Sequence, residues 1–272
     1  MRDFKEFKKI SENRLYSKVT NAKQEFAFFC KGLLDISAVD MLTKTQMTNY
    51  EYRVLKKAVN KRLRGVPIQL IIGYTDFLGV EIIETKQTLK PRKETELMVE
   101  KIIENEKKDM SVLDLCAGSG CIGLALKKAG FEEVTLSDIS KHAIKMCIKN
   151  ARINRLPVSV VRSDMFNSIL GKFDMIVSNP PYIKTDDINT LSREVKKFDP
   201  RIALDGGIDG LKFYKTIATE APKFLNDNGI LYLEIGQNQE GAVTKLLEKN
   251  FKNITIMKDY NDINRIIRAE KC

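Results

Sequence analysis

Four residues near the middle of the chain, Asn179-Pro180-Pro181-Tyr182, combine one side-chain amide, one phenol and two residues with no backbone N–H. They follow Met175–Ser178, an apolar run that reads as a buried strand, and two prolines must end such a strand. The loop is therefore rich in acceptors and poor in donors. The Asn179 side-chain carbonyl and the Pro180 backbone carbonyl can accept the two N–H bonds of a planar NH₂ group, and Tyr182 offers it an apolar face. An amide or arylamine nitrogen is a weak nucleophile because its lone pair is delocalised. Fixing both N–H bonds positions it and favours the charge that develops as it attacks a methyl group. Asn-Pro and Pro-Pro are also ordinary turn formers. At average composition this four-residue match occurs by chance in roughly one chain in a thousand of this length.

A second constellation lies upstream. In DLCAGSGCIG, Asp114 to Gly123, the glycines 118, 120 and 123 match G-x-G-x-x-G, and Asp138 ends the next apolar run 20 residues after Gly118. That spacing is the dinucleotide fingerprint. Its physics serves two cofactors, because both NAD and S-adenosylmethionine carry a ribose whose hydroxyls a carboxylate such as Asp138 can bind. Asp114, just before the turn, suits the cationic methionyl end of S-adenosylmethionine better than a pyrophosphate; the plain alternative is a hydrogen-bonded turn residue. A third acid, Asp164, follows the next run, where it can accept from an adenine amino group while Met165 packs on the ring. Acids at three successive strand ends line the crevice where open α/β sheets bind ligands.

The elements that must position these residues follow from periodicity. Strands are expected at SVLDL, EEVTLSD, PVSVVRSD, KFDMIVSN and GILYLEIG, with helices from Pro91, from Cys121, over ISKHAIKMCIKNARIN, near Leu211–Asn226 and over EGAVTKLLEKN. Strands alternating with helices of crossover length imply a mostly parallel sheet. NITIMKD and INRIIRAE have no helix between them and imply an antiparallel edge. Between NPPY and the helix near Leu211 a long loop is expected. Residues 1 to about 65 read as short helices, including EFAFFCKGLLDISAVDML and YEYRVLKKAVNKRLRG. YTDFLGVEII reads as a hairpin.

Of the 272 residues, the first 64 hold 15 Lys/Arg against 7 Asp/Glu, so this quarter carries +8 of the net +10. Such asymmetry implies a separate module facing an acidic partner, protein or nucleic acid, or else a solvated helical surface. Five scattered cysteines without a CxxC pair and a single histidine, His142, give no familiar zinc spacing, so no metal is expected. No apolar stretch is long enough to span a bilayer, and MRDFKEFKKI lacks the apolar core of a signal peptide; a cytoplasmic protein is expected.

NPPY is shared by methyltransferases acting on planar NH₂ groups, adenine in nucleic acids and glutamine in proteins. The chain resembles the glutamine branch, the peptide-chain release factor glutamine methyltransferases, through PIQLIIGYTDFLG, LKPRKETE, VLDLCAGSGCIGLAL, SNPPYI, FDPRIALDGGIDGLKFY and GILYLEIGQNQ, in order from Pro67 to near Gln239. The resemblance implies a small helical substrate-recognition domain over residues 1–66, a hairpin linker over 67–88, and a Rossmann-like class I methyltransferase domain over 89–272, with a mostly parallel seven-stranded sheet and an antiparallel edge. It implies S-adenosylmethionine as cofactor, held by Cys116, Ala117, Gly118, Ser119, Gly120, Asp138 and Met165, beside Asp114, Asp164 and Asn179. It implies release factors as partners, the glutamine of their Gly-Gly-Gln motif being framed by Leu89, Asn179, Pro180, Pro181 and Tyr182. Direct nucleic-acid binding is not expected, and with no oligomeric signal in the sequence a monomer is the simplest expectation. The family usually has glycine where Cys116 stands and proline where Lys93 stands. The rival expectations are an adenine-N6 methyltransferase on DNA or RNA, a nicotinamide oxidoreductase, which leaves NPPY unexplained, and a binding scaffold, for which intact NPPY and strand-end acids have no use.

Overall fold

The computed structural model describes residues 2–272 and forms two compact units, which divide between Tyr74 and Thr75. The first holds helices α1 (Phe4–Tyr16), α2 (Ala22–Leu34), α3 (Asp40–Thr43), α4 (Asn49–Leu63) and α5 (Ile68–Ile72), with a two-residue strand pair, β1 (Arg2–Asp3) and β2 (Gln46–Met47). Phe4, Leu15, Phe26, Phe29 and Leu55 are wholly buried at its centre. A reciprocal cap starts α4: Glu51 N–H donates to Thr48 Oγ1 at 3.1 Å and Thr48 N–H to Glu51 Oε2 at 2.7 Å. The apolar stretch from Glu25 to Leu42 is not one helix. It breaks at Asp35, whose φ of 55° is left-handed, and restarts after Ser37, which exchanges hydrogen bonds with Asp40.

The division falls at the first residue of β3 (Tyr74–Phe77), and the second unit holds the rest of that strand, its hairpin partner β4 (Val80–Ile83), then α6 (Lys93–Asn105), β5 (Ser111–Leu115), α7 (Cys121–Lys128), β6 (Glu133–Asp138), α8 (Lys141–Asn154), β7 (Ser159–Arg162) and β8 (Phe173–Ser178). It continues through α9 (Arg193–Phe198), α10 (Lys212–Phe224), β9 (Leu225–Glu234), α11 (Glu240–Leu247), β10 (Phe251–Lys258) and β11 (Asn264–Lys271). The stretch expected as a long loop thus carries α9 and two 3₁₀ turns, Asp186–Thr190 and Arg201–Ala203. The hairpin lies on α8, where Asn150 and Asn154, one turn apart, accept from Ile83 N–H and Glu81 N–H.

Seven strands form the sheet in the order β10-β11-β9-β8-β5-β6-β7. Neighbours from β9 to β7 are parallel, and β9, β11 and β10 pair antiparallel at the edge. Alternate residues serve the two faces, as strand geometry requires. Val112, Met175, Val177 and Ile230 bury one face with α6, α7 and α8; Leu113, Ile176, Leu231 and Ile267 bury the other with α10 and α11. Both faces are covered, so the strands read as continuous apolar runs. The chain leaves β5 towards β6 on one side and β8 on the other, which opens the switch-point crevice above β5 and β8.

Helix α7 rests on the sheet without clearance. A Cβ at Gly123 would stand 2.2 Å from Leu136 Cδ2 and 3.1 Å from both Asp114 Oδ2 and Val134 Cγ1. Gly123→Ala is expected to destabilise the protein by about 1–3 kcal/mol, the usual scale for overpacking, read as a lowered urea midpoint at unchanged slope.

Candidate active site

Register brings the functional residues to one edge. Leu115 is paired with Ser137 and Ser178, Asp138 with Arg162, and Ser178 with Leu233. The residues that come next, Cys116, Asp138, Ser163–Asp164, Asn179 and Glu234, therefore emerge side by side. Above them lies a cavity of about 270 Å³, lined by Cys116, Ala117, Gly118, Ser119, Asp138, Asp164, Met165, Asn179, Pro181 and Leu89 among others.

The turn after β5 and the carboxylate after β6 form one rigid corner. Asp138 accepts from Gly118 N–H at 2.9 Å on Oδ2 and from Ser140 N–H at 2.8 Å on Oδ1. Each oxygen keeps a lone pair, so the carboxylate can still accept from a ligand's hydroxyls. Burial raises its pKa and these backbone bonds oppose the rise. Gly118 has φ +58°, and nothing stands within 4 Å of where its Cβ would be, so the backbone itself lies open to a ligand. Ile139 and Met165 supply apolar wall for a flat ring. Cys116 and Met165, both lining residues, have left-handed φ values of 64° and 48°, strain of a kind that gathers at ligand sites. A ribose-bearing, partly apolar cofactor such as S-adenosylmethionine fits this lining. The Cys116 thiol is no nucleophile there, since burial pushes it up to about 12.

Three expected contacts lie elsewhere. Asp114 does not face the cavity: it is wholly buried beneath the turn, where Oδ2 accepts from Gly123 N–H at 2.9 Å and Oδ1 has no partner. Its position is inside β5 rather than past its end, and burial pushes it up to about 7. Gly120 is likewise behind the turn, where a Cβ would meet Leu136 Cδ1 at 3.0 Å and Cys147 Sγ at 3.2 Å. Pro180 is buried and lines neither this cavity nor the next; of the two acceptors expected from the loop, Asn179 is the one that lines them.

A second cavity of about 230 Å³ adjoins the first and shares Leu89, Asn179 and Ala203 with it. Tyr182, Arg92, Glu94, Glu234 and Arg265 add the rest of its polar lining. Asn179 stands between the two cavities. Its Nδ2 donates to Thr95 Oγ1 at 3.2 Å, and its Oδ1 makes no hydrogen bond among the described residues. Thr95 in turn donates to Glu234 Oε2 at 2.6 Å. The loop carrying Asn179 is gripped by backbone. Cβ atoms at Gly206 and Gly210 would come within 2.8 Å of Pro181 O and 2.5 Å of Tyr182 O, and one at Gly236 within 2.9 Å of Tyr182 Cδ2. Ile183 N–H donates to Leu204 O, Gly206 N–H to Ile183 O, and Gln239 Nε2 to Tyr182 O. That is the physical content of the long FDPRIALDGGIDGL stretch. Its Asp199 is ion-paired with Lys90 and Arg92, which ties it to LKPR.

With this geometry in view, the comparisons with known proteins are decisive. A family model described as methyltransferase small domain matches residues 90–197. The chain is 38% identical to the release factor glutamine methyltransferase of Thermodesulfovibrio yellowstonii over 88% of its length and 89% of that protein's. It is 36% identical to that of Chlamydia trachomatis over 97% and 92%. The chain belongs to the release factor glutamine methyltransferase family. It is an S-adenosylmethionine-dependent methyltransferase. A solved methyltransferase from Pyrococcus furiosus, 18% identical, superposes over 83% of this chain and 99% of its own with a TM-score of 0.55, a likeness of fold. Among the described residues no helix is long and apolar enough to cross a membrane.

Sequence reasoning passed over Thr95, Glu234 and Gln239. Thr95 sits inside LKPRKETE and Glu234 inside LYLEIG, so both lay in stretches that carry the family likeness, but no spacing rule links residues 139 positions apart. The two strand-end acids should now behave differently. Asp138→Ala is expected to weaken S-adenosylmethionine binding at least about tenfold by calorimetry, the scale of one lost charge-assisted hydrogen bond. Asp114→Asn should leave that affinity nearly unchanged and alter the pH dependence of stability instead. Burial lifts Asp114 from an unfolded 3.8 to about 7, so folding takes up a proton and stability falls as pH rises through that window. The variant should show a smaller fall in urea midpoint between pH 5 and 7.5 than the parent.

Proposed function

We propose that this protein methylates the side-chain nitrogen, N5, of the glutamine in the Gly-Gly-Gln motif of peptide-chain release factors. The observation that carries this reading is the placement of Asn179 between the two cavities, its NH₂ held by Thr95 and its oxygen unengaged. S-adenosylmethionine supplies, when bound, a methyl group made electrophilic by the sulfonium. In this reading Asp138 holds the ribose, Met165 and Ile139 pack the adenine, and Asp164, exposed at the cavity mouth, accepts from its amino group. Leu89, Tyr182 and Pro181 wall the acceptor amide and exclude water from it. Asn179 Oδ1 accepts one N–H of that amide and sets the direction of the nitrogen. The basic helical unit grips the acidic surface of the protein substrate over a Debye length of about 8–10 Å. The relatives' names favour this acceptor over adenine in DNA or RNA, the other NH₂ group that an NPPY loop serves.

Incubation with methyl-labelled S-adenosylmethionine and either a release factor or nucleic acid decides the matter. Label is expected in the release factor, and none when its Gly-Gly-Gln glutamine is replaced by alanine; label in nucleic acid alone would refute the reading. Asn179→Ala should lower kcat about a hundredfold, the scale of one lost preorganised acceptor, while S-adenosylmethionine affinity changes far less.

A further inference from the structure

Among the groups at the second cavity, one buried carboxylate has no part in the scheme above. Glu234, at the end of β9, is only 2% exposed, and Thr95, in the first turn of α6, only 3%. They form a three-membered chain with Asn179: Glu234 Oε2 to Thr95 Oγ1 at 2.6 Å, and Thr95 Oγ1 to Asn179 Nδ2 at 3.2 Å. An ionised carboxylate can only accept, so the Thr95 proton must point at Glu234. The Thr95 oxygen then faces Asn179 with lone pairs and can only accept from it. That forces the NH₂ end of the Asn179 amide towards Thr95 and the carbonyl end towards the cavities. A threonine hydroxyl free to rotate would accept either end of the amide, and half of the possible arrangements would present a donor to the incoming NH₂, where donor meets donor.

We propose that Glu234 and Thr95 are positioning residues: the Glu234 carboxylate sets the direction of the Thr95 hydroxyl, which sets the Asn179 amide with its oxygen towards the acceptor nitrogen. This rests on the proposed role of Asn179 and extends it to the groups that hold it. The polarity of the chain depends on the charge of Glu234. A protonated Glu234 can donate to Thr95 Oγ1, the Thr95 hydrogen then turns to Asn179, and the amide is free to flip. Burial is the largest influence on this carboxyl and pushes it up to about 7; Glu94 adds to the rise, and the Thr95 hydrogen bond, Arg265 and Arg92 oppose it. The ionisable groups around it are Arg92 and Glu94 at the start of α6, Cys121 on α7, Tyr182 on the NPPY loop, Tyr214 on α10 and Arg265 on β11. Burial pushes the Tyr182 phenol and the Cys121 thiol up to about 12 and the Tyr214 phenol well above its ordinary value, so they stay neutral where Glu234 titrates.

The direction of the effect follows. Activity needs Glu234 charged, so log kcat should rise with pH and level off above about 7. Thr95→Val keeps the shape of the side chain and removes the hydroxyl. It should lower kcat at least about tenfold, with KM for the release factor and affinity for S-adenosylmethionine within about twofold, because a misdirected amide harms the reacting geometry and not the binding. Thr95→Ser restores the hydroxyl and should recover most of the loss. Glu234→Gln cannot ionise, so the rise towards pH 7 should vanish from its profile. A second readout needs neither cofactor nor acceptor. The side-chain ¹⁵NH₂ pair of Asn179, assigned by its absence in Asn179→Asp, should be protected from exchange at pH 8.5, lose that protection as pH falls through 7, and be unprotected at every pH in Thr95→Val. Full kcat in Thr95→Val, failure of Thr95→Ser to recover, an unchanged pH profile in Glu234→Gln, or an Asn179 pair indifferent to pH and to Thr95→Val would each overturn the proposal. If the parent protein labels no release factor, the acceptor assignment falls, and the amide resonances still decide whether Thr95 and Glu234 orient Asn179.

Discussion

The hydrogen bond from Asn179 Nδ2 to the Thr95 hydroxyl constrains the rest of the site, because a primary amide has a donor end and an acceptor end and only one can face the cavities. A loop built from two prolines cannot hold that orientation with its own N–H groups. The holding must come from outside the loop, and here it comes from α6 and β9, elements far away in sequence. Their convergence follows from register: Ser178 is paired with Leu233, so the residues after β8 and the end of β9 leave the sheet together.

Placing a carboxylate in such a position is costly. Glu234 has lost its water, and desolvation outweighs the Thr95 hydrogen bond and the two guanidinium groups of Arg92 and Arg265 in setting its proton affinity. A neutral residue of similar shape would be cheaper to bury and would leave the Thr95 hydroxyl without a preferred direction. Burial with one strong hydrogen bond, 2.6 Å long, is what makes the direction unambiguous. The loop itself is also held. Its backbone is pinned by contacts so close that only glycine fits at 206 and 210, and the hydrogen bonds of Ile183 and Tyr182 O complete the grip.

Much of this was legible in the sequence and some of it could not be. Alternating apolar runs and helical periods predicted the parallel sheet, and the missing helix between NITIMKD and INRIIRAE predicted the antiparallel edge, because both patterns are local. NPPY and the glycine turn announced the site because two prolines and a left-handed glycine leave few structural alternatives. The break at Asp35 was hidden, since the apolar spacing of α2 runs on past a helix end that Ser37 and Asp40 create by hydrogen bonding to each other. The Thr95–Glu234 pair was hidden for the opposite reason: a threonine in a first helical turn and an acid at a strand end each have an ordinary local role, and only tertiary register joins them.

The contrast between Asp114 and Asp138 shows how narrow the margin is when acids are read from strand ends. Both follow an apolar run, and both precede a turn that faces the crevice. Asp138 is the last residue of β6, and the backbone beyond it, at Ser140, and across from it, at Gly118, donates to its carboxylate, so the group is held at the cavity wall. Asp114 is paired with Leu136, two residues before Asp138 on the same face of the sheet, so its side chain lies deeper, under α7, where Gly123 is close enough to donate. Two residues of register separate a carboxylate that can meet a ligand from one that anchors a helix. The missing Cβ at Gly123 makes the second role possible, because any larger residue would push α7 away from both Leu136 and the Asp114 oxygen.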